Sequence, residues 1–130
     1  MKKTTLLILF LLLYSLFACK KDAPLHHLIH EADVVWVYIY SGNQLAVKYA
    51  TNDIDKIKQW DNFIADDTAS AGTCSYEGRI VFKVYEDSTE MKFSLQPGCR
   101  VVIYTLNNQQ YVKSLTADGL KYLDSLKKIE

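Results

Sequence analysis

All three histidines of the chain fall within one short stretch, His26-His27-Leu28-Ile29-His30. If that stretch is helical, His26 and His30 share a face at i, i+4. Two imidazoles so placed can hold Zn²⁺ or Cu²⁺. Glu31, four residues after His27, can supply an oxygen. A closed zinc site needs four ligands, however, and no further His occurs downstream. A solvated tether, or a few side chains packed on a sheet edge, is the simpler account of the same residues. Metal binding through His26, His27 and His30 therefore stands as the alternative function.

A second group is aromatic. Ala32 to Tyr40 is rich in β-branched and aromatic residues, which predicts a strand. Val35, Val37 and Ile39 then lie on one face, and Trp36, Tyr38 and Tyr40 on the other. Aromatics offer large rigid contact area at low entropy cost, so this second face is a candidate binding surface unless the sheet is covered on both sides. The Ala65 to Thr73 run of small and polar residues reads as a loop. Its Asp66 and Asp67 are a candidate contact pair, although two adjacent carboxylates are too few for a Ca²⁺ loop.

Enzyme motifs are missing. Nothing matches G-x-S-x-G, H-E-x-x-H, a phosphate-binding glycine loop or a dinucleotide turn. No catalytic residue and no cofactor is assigned on this basis. Lys+Arg 15 balance Asp+Glu 15, which leaves no basic excess for nucleic acid. A length of 130 residues, 49% hydrophobic, fits one domain with a real core.

The amino terminus carries an address. Lys2 and Lys3 precede an apolar run from Leu6 to Phe17, too short for a bilayer span of about 20 residues and suited to a secretory signal. Leu16-Phe17-Ala18-Cys19 resembles the lipobox of bacterial lipoproteins, with Phe17 bulkier than the usual occupant. The resemblance implies cleavage after Ala18, lipidation of Cys19 and a partner membrane reached through that anchor. It implies a place in the bacterial envelope, and because Lys20 stands where an Asp would resemble an inner-membrane retention signal, the outer membrane is expected rather than the inner. The expected organisation is a signal peptide over 1–18, a lipidated Cys and tether over 19–31, and a single domain over 32–130. On that division, removing residues 20–31 leaves the fold intact. Processing also removes Lys2 and Lys3, so the mature part is about two charges acidic. With Cys19 lipidated, Cys74 and Cys99 remain, and an oxidising compartment favours a disulfide between them.

The remaining elements follow from periodicity. Ser41-Gly42-Asn43 predicts a turn and Leu45 to Ala50 a returning strand. A helix is expected over Asp53 to Ile64, capped by Thr51 or Asn52, with Ile54, Ile57, Trp60 or Asp61, and Ile64 in one buried stripe. Strands are expected over Arg79–Tyr85, Met91–Leu95, Arg100–Leu106 and Gln109–Leu115, with a turn over Glu86–Thr89. Ile80, Phe82, Met91 and Phe93 face inward, continued by Val101 and Ile103. Asn107-Asn108 suits a two-residue hairpin because Asn tolerates positive φ. Thr116 caps a last helix with a Leu120, Leu123, Leu126, Ile129 stripe. The order ββαββββα predicts an α+β fold, an antiparallel sheet with helices packed on one face.

Size, tether and disulfide are similar to those of small lipoprotein inhibitors of lysozyme, whose all-β barrels lack such helices. The function expected is that of a non-catalytic, lipid-anchored protein that binds another envelope macromolecule, protein or glycan, as an inhibitor, immunity factor or assembly accessory does.

Overall fold

Alternation of Val35, Val37 and Ile39 with Trp36, Tyr38 and Tyr40 builds the strand on which the rest of the sheet is laid. The computed structural model describes residues 3, 8 and 23–128; the rest of the signal segment, Cys19 and Ile129 lie outside the described residues. Strand β1 (Val34–Ser41) pairs antiparallel on one side with β2 (Gln44–Thr51), through a turn at Gly42-Asn43. On its other side it pairs with β4 (Gly78–Val84). Strands β4, β5 (Asp87–Ser94), β6 (Val101–Leu106) and β7 (Gln109–Leu115) form an antiparallel meander. Strand β3 (Ile64–Thr68) closes the far edge beside β7, giving the order β2-β1-β4-β5-β6-β7-β3. Asn107 and Asn108 both take positive φ, 51° and 62°, in the β6–β7 turn, as their amides allow.

The α+β architecture matches the expected one, with instructive differences. The segment read as a tether through Glu31 is helix α1 over Ala23–Glu31. Pro24 sits in its first turn, where the missing N–H costs nothing. Leu25, Leu28 and Ile29 form a stripe at i, i+3, i+4 that enters the core, Ile29 completely.

The expected helix over Asp53–Ile64 is two short ones, α2 (Ile54–Lys58) and α3 (Trp60–Phe63), separated at Gln59. Its cap is Asp53, whose carboxylate accepts from the N–H groups of Asp55 and Lys56, and not Thr51 or Asn52. The break at Gln59 buries Ile57 and Trp60 and leaves Ile54 63% exposed. The Ala65–Thr73 loop is in part a strand, because β7 has an unpaired backbone edge that Ile64–Thr68 satisfies. The β4–β5 turn is Tyr85-Glu86 instead of Glu86–Thr89: Val84 pairs with Asp87, and Tyr85 takes φ 53°. In β6 the inward residues are Val102 and Tyr104, opposite Phe93 and Met91, so Val101 and Ile103 point to the other face.

Helices α1, α2, α3 and α4 (Ala117–Leu126) cover one face of the sheet. The core between them joins Ile29, Ile57, Trp60 and Leu123 to Val35, Val37, Ile80, Phe82, Met91 and Phe93. Trp60 meets Phe63, Phe82 and Tyr122 edge-on, with ring centres 5.3, 5.9 and 5.6 Å away. Burial pushes the Tyr122 phenol above its usual range, and a hydrogen bond with Tyr49 adds to the effect. A disulfide joins Cys74 to Cys99, with Cα atoms 5.8 Å apart, as the cysteine count predicts.

The end of α3 and the start of α4 are tied through Thr116. Its N–H donates to the Phe63 carbonyl, its hydroxyl donates to the Asn62 carbonyl, and the same oxygen accepts from Gly119 N–H. A Cβ at Gly119 would overlap the Phe63 carbonyl oxygen. Gly119→Ala therefore reverses the usual sign. Helix propensity favours Ala by about 1 kcal/mol. Overpacking against backbone typically costs about 1–3 kcal/mol, and the expected net is a destabilisation of up to about 2 kcal/mol, read as a lower urea midpoint.

Candidate functional site

Among the described residues the helices all pack on one face of the sheet, and the strand register decides what the other face carries. Trp36 lies opposite Ala50 and Val81, and Tyr38 opposite Lys48 and Arg79. The rings of Trp36 and Tyr38 stack at 6.3 Å, 8° from parallel. Lys48 Nζ lies 5.2 Å from the Trp36 ring centre, and the Arg79 guanidinium carbon 4.5 Å from that of Tyr38. Arg79 Nη1 donates to Glu90 Oε2 at 2.9 Å, and that bond is the main cause raising Arg79 above its usual value. The result is a ladder of alternating rings and cations, each side chain held by the next.

Charge on this face is one-sided. On β1, β2, β4 and β5 the outward positions include Lys48, Arg79, Lys83 and Lys92 against Glu90 alone. The whole chain is electrically neutral, so the fold concentrates positive charge where the aromatics are. Tyr76 reaches over the same face from the loop that Cys74–Cys99 pins. It shares with Glu90 and Lys92 two adjoining hollows of about 380 and 370 Å³. Tyr40 lines the second hollow.

Asp66 and Asp67 do not join this surface. Both are exposed on edge strand β3, five strand spacings from β1, about 24 Å away. The Asp66 backbone carbonyl accepts from Lys113 Nζ at 2.6 Å.

The histidines lie on the other side of the sheet. Helix α1 sets His26 and His30 on one face, ring centres 4.0 Å apart. Both aim at Asp61 of α3: His30 Nε2 is 2.5 Å and His26 Nδ1 3.0 Å from Asp61 Oδ2. The Asp61 side chain is only 13% exposed. His27 is exposed and stands outside the group.

No family model, curated protein or solved structure matches this chain. What the site can do must therefore come from its own chemistry. The ring–cation ladder is suited to recognising a surface by contact. Among the described residues no helix is long and apolar enough to cross a membrane.

Periodicity finds Trp36, Tyr38 and Tyr40 but passes over Lys48, Arg79, Glu90 and Lys92. The signal was present in Arg79-Val81-Lys83, the outward complement of Ile80 and Phe82. Asp61 appears in the sequence only as a rival to Trp60 for the buried stripe, and nothing local links it to histidines some thirty residues earlier.

Proposed function

We propose that this chain is a lipid-anchored protein of the bacterial envelope, held at the outer membrane through Cys19, and that it acts by occupancy and not by catalysis. Its open sheet face binds an acidic surface on another envelope protein. The observation that carries this reading is the ladder of half-buried Trp36, Tyr38 and Arg79 with exposed Lys48, on the sheet face away from the helix-covered core.

Trp, Tyr and Arg dominate binding hot spots because they combine area, rigidity and polar reach. Four cations against one carboxylate select an acidic counterpart and speed its approach. The shallow hollows beneath Tyr76 suit side chains of a broad protein surface better than a deeply enclosed sugar.

The lipobox-like Leu16-Phe17-Ala18-Cys19 supports the anchor. Three residues separate Cys19 from Ala23, where α1 begins, and the four steps between them span at most about 14 Å. Since α1 packs on the covered side, so short a link keeps that side near the bilayer and turns the aromatic face away from it.

The test uses the full chain in detergent against an envelope extract. The wild type is expected to retain one stoichiometric acidic protein, insensitive to chelator and weakened by salt. A Trp36→Ala, Arg79→Glu variant with an unchanged melting profile is expected to lose affinity by about 1,000-fold, at roughly 2 kcal/mol for each of the two hot-spot residues. Full affinity in that variant overturns the face, and capture of glycan without protein overturns the partner class. Palmitate labelling lost in Cys19→Ser checks the anchor; labelling that persists overturns it.

A further inference from the structure

We infer that His26, His30 and Asp61 form a binding site for a first-row divalent cation, best matched to Zn²⁺, that bridges α1 and α3. The site lies on the helix side of the sheet and is independent of the partner-binding face, so either reading can fail alone.

Three features carry it. Two nitrogens and a carboxylate oxygen converge from different elements, all within 4.8 Å of one another. Zn²⁺ takes His nitrogen at about 2.0–2.1 Å and carboxylate oxygen at about 2.0–2.2 Å, so tetrahedral donors sit about 3.3 Å apart. The present separations of 2.5 and 3.0 Å to Asp61 Oδ2 need only a small opening. The histidine side chains are 41% and 35% exposed and have room to make it.

The second feature is His26 Nδ1. This atom is buried and lies 3.0 Å from Asp61 Oδ2, yet it makes no hydrogen bond. A buried nitrogen without a partner is costly. His30 Nε2 converges on the same Asp61 oxygen, and a cation held among the three atoms would satisfy His26 Nδ1.

The third is the pair itself. The imidazole centres lie 4.0 Å apart and both rings converge on one carboxylate from a separate helix, so a single ion can be shared by all three side chains. Two nitrogens and one oxygen favour Zn²⁺ over the oxygen-loving Mg²⁺ and Ca²⁺, and leave the fourth position to solvent. The structure also corrects the ligand set expected from the sequence, replacing His27 with Asp61.

The experiment takes the full chain in detergent, stripped with chelator and titrated with Zn²⁺ by calorimetry, with Mg²⁺ as control. One equivalent of Zn²⁺ per chain is expected to bind, raising Tm by about 10 °C at roughly 100 times Kd. His30→Ala and the isosteric Asp61→Asn are each expected to weaken binding more than about 10–100-fold, the loss that even outer-shell changes produce. His27→Ala should leave it unchanged. Absence of stoichiometric Zn²⁺ binding overturns the site. So does binding that survives Asp61→Asn but not His27→Ala, which marks simple chelation by the histidine helix.

Discussion

Excision of residues 20–31 is expected to abolish cooperative unfolding of the domain, not merely to free it from a leash. Helix α1 places Leu25 and Ile29 in the core, 5% and 0% exposed, against the sheet centred on Phe82. Removing both side chains with their backbone uncovers apolar strand surface with nothing to replace it. The single change Ile29→Ala already costs about 2–5 kcal/mol through lost transfer energy and the cavity left behind. Domains of this size hold roughly 5–15 kcal/mol in total, so the excised form sits at or below the threshold of folding. Urea unfolding followed by circular dichroism checks this. A steep transition at the wild-type midpoint in the shortened chain shows that α1 is an ornament on a core complete without it.

The second large effect is expected at the Cys74–Cys99 bridge. Its cysteines are 25 positions apart, and closing such a loop restricts the unfolded chain by about 3.5 kcal/mol in the entropy model. The bridge also fixes the loop that carries Tyr76 over the open face. Cys74→Ser with Cys99→Ser should therefore lower stability by about 3–4 kcal/mol and, in the fraction that remains folded, loosen Tyr76. Denaturant titration of the oxidised wild type against the double variant reads the first effect. A difference below about 1 kcal/mol means that the loop is already ordered in the unfolded ensemble.

Much of the sheet is written in alternation. Val35, Val37 and Ile39, then Ile80 and Phe82, then Met91 and Phe93 each keep period two and identify their own buried side. Asn107-Asn108 announces its hairpin for a conformational reason. Three elements were illegible for different physical causes. Helix α1 is short and its polar positions are histidines, so its Leu25, Leu28, Ile29 stripe is easily taken for part of a tether. Strand β3, Ile-Ala-Asp-Asp-Thr, has three strand-disfavouring residues of five at its centre and exists because β7 needs a partner. The inward residues of β6 depend on pairing with β5, a relation no local pattern states.

The candidate sites divide the same way. Alternation puts Trp36, Tyr38 and Tyr40 on one face, but whether that face is covered depends on how all the helices pack. The i, i+4 spacing joins His26 to His30, while Asp61 reaches them only through the tertiary contact of α1 with α3.

The chemistry of the sheet's two borders bears on solubility. Each border exposes an unsatisfied row of backbone donors and acceptors, the template on which identical chains stack into fibrils. Strand β3 meets that hazard by being five residues long, irregular in register with β7, and armed with Asp66 and Asp67. On β2 the ammonium of Lys48 does similar work, beside a bulge where β1 shifts register between Ile39 and Tyr40. Two copies meeting β3 to β3 oppose carboxylate to carboxylate; two meeting β2 to β2 bring cation toward cation. The exposed carboxylates of Asp66 and Asp67 thus oppose edge-to-edge pairing of β3 between copies.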